Sequence, residues 1–474
     1  MMAINALFQE SLRVLNLGSK SFIEDYERQD VAYVNLDWQP PAGGDRRLLG
    51  ALKQVLKHAD RIEAANQLAI ARIKESEAKL VGLKPAKEVI PHMGERMILH
   101  AGPAIAWEDM AEPMKGAIVG AILFEGWANS AEEAWALAAS GTIAYEPCHE
   151  HQAVGPMAGI VSPSMPVHVV YDEVHDHYAY CSVNEGLGKV LRFGAYDDSV
   201  LKRLRWIRDE FAPVIHEAIQ LVGGVDLKNI VAQALQMGDE CHNRNKAATS
   251  MFLNQVATSI MKTTADPDTK IQVIEFINKN EHYFLNLSMA FSKVSLDAAR
   301  NIADSSLCVV MARNGVEFGI QVAGCENQWF TAQANYVNGL YFAGYSQDDA
   351  TRDLGDSAIT ETRGIGGFAM GCSPAIVQFV GGSVKDALNY SRQMHDICEA
   401  KNDNFTVPAL DFYPTALGID LIKVVESGIL PIINTGIAHK QAGIGQVGAG
   451  LTTPPAACFE QALLALAKRL EESE

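Results

Sequence analysis

Residues 11–38, SLRVLNLGSKSFIEDYERQDVAYVNLDW, decide the fold class of this chain. The apolar run at 11–18 predicts a short buried strand, residues 20–28 predict a helix, and residues 31–38 predict a second strand. A strand, a helix and a strand in so short a stretch are typical of a parallel, Rossmann-like unit. The sequence therefore predicts an α/β fold that begins with a small Rossmann-like N-terminal unit.

A dinucleotide site is one interpretation of this unit, because Asp37 stands at the end of the second predicted strand. The glycine fingerprint of such sites, G-x-G-x-x-G, is absent, since only Gly18 is present where three glycines are needed. The sequence favours a purely structural unit.

Turn signals and composition divide the chain into four regions, and we expect a multidomain α/β protein. The first, 1–100, holds the Rossmann-like unit and then a long helical stretch at 46–80. The others are an α/β region with the motif CHEH (101–195), a helical middle insertion with the motif GDECHNRN (196–300) and a Gly-rich α/β domain (301–474).

The composition excludes several functional classes. The chain has 474 residues and a net charge of −18, which disfavours non-specific binding to nucleic acids or to anionic membrane surfaces. No apolar run approaches the ~20 residues of a spanning helix, and the N-terminus lacks a secretory signal. The eight cysteines include no CxxC pair, as expected of reduced thiols in a cytoplasmic protein.

The polar segment 238–245 is the strongest local signal for chemistry. It places six polar residues between two apolar helical stretches: Asp239, Glu240, His242, Asn243, Arg244 and Asn245. The start of the following helix favours anions, and Arg244 adds a planar fork for phosphate or carboxylate. Asn243 and Asn245 suit a carboxamide or ureido group. The alternative is a helix cap with a buried ion-pair network that holds the two helices together.

The segment CHEH at 148–151 is the second signal. His151 and Glu150 suggest general acid–base chemistry, because histidine transfers protons near neutral pH. A metal site is a weaker interpretation, since HEH is not the HExxH pattern of zinc enzymes, and a structural role is also open. We expect neither a bound metal nor a cofactor.

Three further stretches carry candidate binding residues. Arg313 and Asn314 stand at a predicted Asn-Gly turn between strands at 305–312 and 317–322. The glycine-rich segments 355–367 and 434–450 contribute the remaining candidates, Glu361, His439 and Lys440. Backbone amides of such segments cradle phosphates in some proteins, but tight turns explain them equally well. A basic helix face with Lys202, Arg203, Arg205 and Arg208 is more typical of a solvated surface.

Several long motifs resemble a single protein family. They are LHAGPAIAWEDM (99–110), MKGAIVGAILFEG (114–126), PCHEH (147–151), QMGDECHNRN (236–245), MARNGVEFG (311–319), QWFT (328–331), GDSAITET-x-GIGGFAM (355–370) and GILPIINTGIAHKQAG (428–443). The chain is identified on these motifs as a member of the YlbE/YahG-like family, which is similar to the AllG subunit of bacterial oxamate carbamoyltransferase. The resemblance extends from about residue 12 to residue 459.

The resemblance implies a function. Oxalurate and phosphate would give oxamate and carbamoyl phosphate during anaerobic allantoin use, in a complex with an FdrA-like subunit and a third small subunit. Arg244, Arg313 and Lys440 would then bind phosphate, and His242 or His151 would either donate to the developing oxyanion or transfer a proton. Glu150, Asp239 and Glu361 would orient these groups or hold a metal. The isolated chain is expected to be a homo-oligomer. An acyl- or CoA-linked transferase or lyase, and a non-catalytic scaffold, are the alternatives.

Overall fold

The computed structural model describes residues 12–18, 20–36, 38 and 40–473, so Asp37 lies outside the described residues. It confirms an α/β fold with several sheets. The strands are, in chain order, β1 (Arg13–Leu17), β2 (Ala32–Leu36), β3 (Ala78–Pro85), β4 (Met97–His100), β5 (Ala144–Pro147), β6 (Ala153–Val154), β7 (Pro166–Asp172), β8 (His177–Ser182), β9 (Val225–Asp226), β10 (Cys308–Asn314), β11 (Glu317–Val322), β12 (Phe330–Gln333), β13 (Asn338–Tyr341), β14 (Leu354–Gly355), β15 (Cys398–Val407), β16 (Tyr413–Ile419), β17 (Ile433–Ala438) and β18 (Gln446–Thr452).

Helices cover these sheets and form a layer of their own in the middle of the chain. They are α1 (Ile23–Arg28), α2 (Arg46–Leu56), α3 (Ala59–Glu75), α4 (Ala86–Val89), α5 (Glu112–Phe124), α6 (Ala131–Ala138), α7 (Asp198–Trp206), α8 (Ala212–Val222), α9 (Leu227–Gln236), α10 (Lys246–Lys262), α11 (Pro267–Lys279), α12 (Tyr283–Asp297), α13 (Ile359–Thr362), α14 (Val377–Val380), α15 (Val384–Gln393), α16 (Leu421–Ser427) and α17 (Ala456–Glu472). None of the helices in the described ranges has the length and apolar character needed to cross a bilayer.

The N-terminal unit is confirmed as a strand, a helix and a parallel strand. The first strand is not the buried strand that the sequence predicts, because Leu15 and Leu17 are 60% and 58% exposed. β1 and β2 pair in parallel from Arg13–Ala32 to Leu17–Leu36. α1 connects them, and Asn16 donates a hydrogen bond to Asn35 at 2.6 Å across the pair. This confirms the crossover connection that the sequence predicts.

The predicted helical stretch at 46–80 is confirmed over most of its length, as two helices, and is wrong at its end. α2 ends at Leu56, α3 starts at Ala59, and the chain becomes strand β3 from Ala78. β3 pairs with β7 and β9, which lie far along the chain, so tertiary pairing overrides the local helical pattern.

A five-stranded sheet in the order β6-β8-β7-β3-β9 carries the helical layer. Its buried face and helices α8 to α12 share one apolar core, which includes Phe211, Phe252 and Phe291. The sheet takes strands from three of the four regions expected from the sequence, so the boundaries of the folding units stay a prediction.

The C-terminal part contains the remaining functional elements. β10 and β11 form the antiparallel hairpin predicted at Asn314-Gly315, and Gly315 has a φ of 85°. β14 pairs with the end of β10, and β17 lies at the edge of the sheet β13-β18-β17. The segment after β14 and the first residues of β17 both reach the loop between α9 and α10.

Candidate active site

The loop 238–245 joins α9 to α10 and is the centre of the site. Gly238 and Cys241 both have positive φ, which turns the chain sharply at the end of α9. The carboxylate of Asp239 accepts a 2.9 Å hydrogen bond from the N–H of Ala248, in the first turn of α10. The anion at this helix start is therefore a side chain of the protein itself.

Two further polar residues hold the loop together. Glu240 is fully buried and accepts hydrogen bonds from the backbone N–H groups of His242 and Arg244, at 3.2 and 2.5 Å. Burial raises the pKa of Glu240 well above its usual value, and the charges of Glu361 and Asp239 raise it further. Asn245 donates to the carbonyl of His242 at 2.6 Å. The loop is thus built from its own side chains, as the structural interpretation of the sequence expected.

His242 forms a pair with Glu361, a residue 119 positions further along the chain. Nδ1 of His242 lies 2.8 and 3.0 Å from the two carboxylate oxygens of Glu361, and both side chains are almost fully buried. Nε2 of His242 makes no hydrogen bond to any residue that the structure describes. A carboxylate that orients one ring nitrogen leaves the other free to accept a proton.

The Glu361 carboxylate is itself fixed by backbone donors. Its Oε1 accepts hydrogen bonds from the N–H groups of Gly367 at 2.7 Å and Asn434 at 3.2 Å. Gly366, with a φ of 60°, lies directly against this carboxylate, and a Cβ there would come within 2.7 Å of the Glu361 carboxyl carbon. The glycine cluster after α13 is therefore required for the histidine–carboxylate pair.

A cleft of about 780 Å³ adjoins the loop. Residues 185–188, 243–246 and 279–282 line it, together with Arg203 and Gln446. Its volume is in the range of small-molecule sites. The cleft brings amide groups, several cationic side chains and aromatic side chains to one place.

Asn243 and Arg244 are predicted binding residues that line this cleft, and their amide and guanidinium groups are available to a ligand. Asn243 donates to the side-chain oxygen of Asn434 at 2.5 Å, and the buried Asn434 Nδ2 has no partner among the described residues. Arg244 is about one-third exposed, and its Nε lies 3.6 Å from a carboxylate oxygen of Asp239. A carboxamide, carboxylate or phosphate group would find complementary partners here.

Two residues of the cleft were missed by the sequence reasoning. Arg203 belongs to the basic helix face that was expected to be solvated, but it lies in the cleft wall. His282 stands alone between the apolar helices α11 and α12, so no motif marks it. A single polar residue in a helical stretch cannot be recognised as a cleft residue from the sequence, because the opposite wall of the cleft comes from other parts of the chain.

Arg313 and Asn314 lie on the far side of the same polar region. Arg313 is fully buried, and its guanidinium makes two hydrogen bonds to Asp353 at 2.7 and 2.9 Å. It also donates to Thr435 at 3.0 Å, next to Asn434 of the site. Asn314 accepts from the N–H groups that follow the turn. The role of both in phosphate binding stays a prediction.

The histidines of the segment Cys148–His151 are placed differently. His151 is bonded at both ring nitrogens, to the Pro91 carbonyl at 2.8 Å and to Glu146 at 2.6 Å. Glu150 is exposed and accepts from the Trp329 indole at 3.1 Å. Like His242, neither residue is among those that line the cleft, and their catalytic role stays a prediction.

His439 and Lys440 lie beyond β17. The Lys440 ammonium donates to the carbonyl of Asp348 at 2.6 Å, and His439 Nδ1 accepts from the N–H of Gln441 at 2.9 Å. These contacts tie the segment to its neighbours, so substrate contact by either side chain stays a prediction. Within the described ranges, no three His, Cys, Asp or Glu side chains converge as metal ligands.

The fold and the site together define an α/β protein with a polar cleft and a carboxylate-held histidine at its edge. A family model described as oxamate carbamoyltransferase subunit AllG matches residues 143–357. Two Escherichia coli K12 proteins are similar over nearly their whole length. One is the uncharacterized protein YahG, 46% identical over 98% of this chain and 99% of its own. The other is the oxamate carbamoyltransferase subunit AllG, 45% identical over 86% of this chain and 98% of its own.

A solved structure is also similar, a conserved protein of unknown function from Enterococcus faecalis V583. It is 48% identical, with a TM-score of 0.86 over 86% of this chain and 98% of that one. This chain belongs to the YahG/AllG-like family, which confirms the family expected from its motifs.

Proposed function

We propose that this chain is the subunit of a cytoplasmic carbamoyltransferase complex that carries the active-site cleft. The reaction is phosphorolysis of oxalurate to oxamate and carbamoyl phosphate, in the use of allantoin as a nitrogen source. Its partners are an FdrA-like subunit and a third subunit, and the chain alone is a homo-oligomer. Kinship to a protein named as an oxamate carbamoyltransferase subunit supports the chemistry.

The observation that carries the proposal is the His242–Glu361 pair beside the cleft. In phosphorolysis, a phosphate oxygen bonds to the carbamoyl carbon, and the bond from that carbon to the oxamate nitrogen breaks. One proton moves from the phosphate to the departing nitrogen. A histidine with Nδ1 held by a carboxylate and Nε2 unbonded has the geometry to accept that proton and return it.

The other groups of the cleft fit the two anionic reactants. Arg244, with Arg203, supplies positive charge for the phosphate and for the oxalurate carboxylate. Asn243 offers an amide that matches the ureido group. In this proposal Asp239, Glu240 and Asn245 do not touch the substrate, because their side chains hold the loop.

The test is phosphate-dependent formation of carbamoyl phosphate from oxalurate by this chain co-purified with the two partner subunits. His242→Asn is the decisive variant, since its amide keeps a donor for Glu361 and removes the proton-accepting Nε2. We expect kcat to fall on the order of 10²-fold or more. Arg392→Gln, a change at an exposed arginine far along the surface helix α15, is the matched control and should keep full activity.

Two results would contradict the proposal in different ways. Full activity of the His242→Asn complex would show that this chain acts as a scaffold. A well-folded wild-type complex that leaves oxalurate intact would show that the substrate is a different ureido or acyl compound.

A further inference from the structure

His282 occupies a position in the cleft that the proposed proton transfer does not use. It stands in the turn between α11 and α12 and lines the cleft together with residues 243–246 of the central loop. Its imidazole makes no hydrogen bond to any residue in the described part of the chain. A histidine in a cleft wall with both ring nitrogens unbonded is available to a ligand.

Hydrogen bonds of neighbouring asparagine side chains hold the turn that carries His282. The backbone N–H of His282 donates to Asn280 Oδ1 at 3.2 Å, and Asn280 Nδ2 donates to the carbonyl of Asn184 at 2.9 Å. Asn184 is bonded in turn to the buried Asn286 of α12 at 2.8 Å. This amide network fixes the backbone, and it leaves the ring of His282 without a structural partner among the described residues.

Burial of His282 in the cleft wall keeps its ring uncharged. Burial lowers the pKa of His282 to about 4, and the positive charge of Arg192 acts in the same direction, against Glu281. At neutral pH the imidazole is therefore neutral, with one N–H donor and one acceptor nitrogen. A neutral imidazole in a cationic cleft polarises a carbonyl group without competing for the proton.

We propose that the imidazole of His282 donates a hydrogen bond to the carbonyl oxygen of the carbamoyl group bound in the cleft. The inference rests on the proposed function of the site and adds a second catalytic histidine to it. As the phosphate oxygen bonds to the carbamoyl carbon, negative charge develops on this carbonyl oxygen, and it returns to the carbon when the carbon–nitrogen bond breaks. Donors placed at such an oxygen stabilise the transition state more than the bound substrate.

The kinetic test compares His282→Ala with His282→Gln in the co-purified complex. Loss of the donor in His282→Ala should lower kcat about 10²-fold and change KM less than about threefold, as for a lost oxyanion donor. His282→Gln keeps a side-chain N–H and should recover part of kcat. The acidic limb of the pH–rate profile should stay in place in both variants, because the proposed proton acceptor is His242. His216→Gln, at a half-buried histidine of α8 outside the cleft, is the control.

A binding test on the chain alone does not depend on turnover. Oxamate with inorganic phosphate is the probe, and the ring nitrogens of His282 are followed by ¹⁵N NMR, assigned by the signal missing in His282→Gln. Saturation should shift this signal, and the signal of His216 should stay unchanged.

The outcomes separate the two ideas. An active wild-type complex whose kcat is unchanged in His282→Ala overturns the role of His282 and leaves the proposed function intact. A wild-type complex that does not consume oxalurate overturns the proposed function. In that case, a His282 signal that stays in place at saturation, or no binding of the probe at all, overturns the contact as well.

Discussion

The loop 238–245 and the segment 148–151 look alike in the sequence and differ in the structure. Each places histidine beside acidic residues, and each was a candidate for acid–base chemistry. In the first, Nδ1 of His242 is bonded by Glu361, and its Nε2 has no partner among the residues that the structure describes. In the second, His151 is bonded at both ring nitrogens, and neither ring nitrogen of His149 has a partner in the described part of the chain.

The difference shows what makes a histidine chemically useful. Proton transfer needs one ring nitrogen that is oriented and one that can reach a reactant. His151 has both nitrogens engaged and ties two segments together. His149 is fully buried, and its Nε2 lies 3.7 Å from a carboxylate oxygen of Asp356. Of these three histidines, His242 is the one held by a carboxylate at a single ring nitrogen, and its chain neighbours Asn243 and Arg244 line the cleft.

The largest expected effect comes from making the same change in the two histidine–carboxylate pairs. Glu361→Gln should lower kcat of the complex on the order of 10²-fold or more, because the amide no longer orients and stabilises the protonated His242. Glu146 is the partner of His151, and its side chain is 39% exposed. Glu146→Gln should therefore leave the rate within about twofold. The measurement is carbamoyl phosphate formation at saturating oxalurate. Equal losses in the two variants would remove the distinction between the two regions.

Much of the fold is visible in the sequence because it depends on local patterns. The β1–α1–β2 unit and the hairpin at Asn314-Gly315 are confirmed close to their predicted positions. The strand β3 is missed, since its pairing with β7 depends on residues about 90 positions away, and its apolar pattern continues that of α3. Local periodicity cannot distinguish a short buried strand from the end of a helix.

The candidate site also has residues that the sequence reveals and residues that it does not. His242, Asn243 and Arg244 stand out in the sequence because polar residues are concentrated between two apolar helices. The pairing with Glu361 cannot be read from the sequence, because 119 positions separate it from His242. Arg203 and His282 carry no local signal, since single polar residues in helical stretches are ordinary.

A second, smaller effect concerns the buried pair of Asp356 and His149, the latter from the segment 148–151. Asp356 accepts hydrogen bonds from the backbone N–H groups of Gly102 and Gly155. Burial raises the pKa of Asp356 to about 7, and the positive charges of Arg313 and Lys293 oppose this rise. The folded protein therefore keeps a proton that the unfolded chain loses above about pH 4. The contribution of Asp356 to stability is present at low pH and falls by up to about 1.4 kcal/mol per pH unit between about pH 4 and 7.

Asp356→Asn should remove this slope, whatever it does to the absolute stability. Urea unfolding at several pH values between 4 and 7 measures the difference in free energy of unfolding between wild type and variant. His149→Gln should change the slope with the opposite sign, because burial lowers the pKa of His149 well below its usual value and its contribution is lost as the pH falls. Parallel curves for wild type and Asp356→Asn would contradict the assignment.

The smallest expected effect comes from replacing Gly366, which follows α13. Gly366 and Gly141 have φ values of 60° and 75°, so alanine at either position costs about 1 kcal/mol of backbone strain. The Cβ of alanine at Gly141 meets open space, but at Gly366 it collides with the Glu361 carboxylate beside His242. Gly366→Ala should therefore lower the free energy of unfolding by about 1–2 kcal/mol more than Gly141→Ala, and should also reduce kcat. Thermal unfolding and turnover of both variants measure this, and equal behaviour would show that the carboxylate moves aside without consequence.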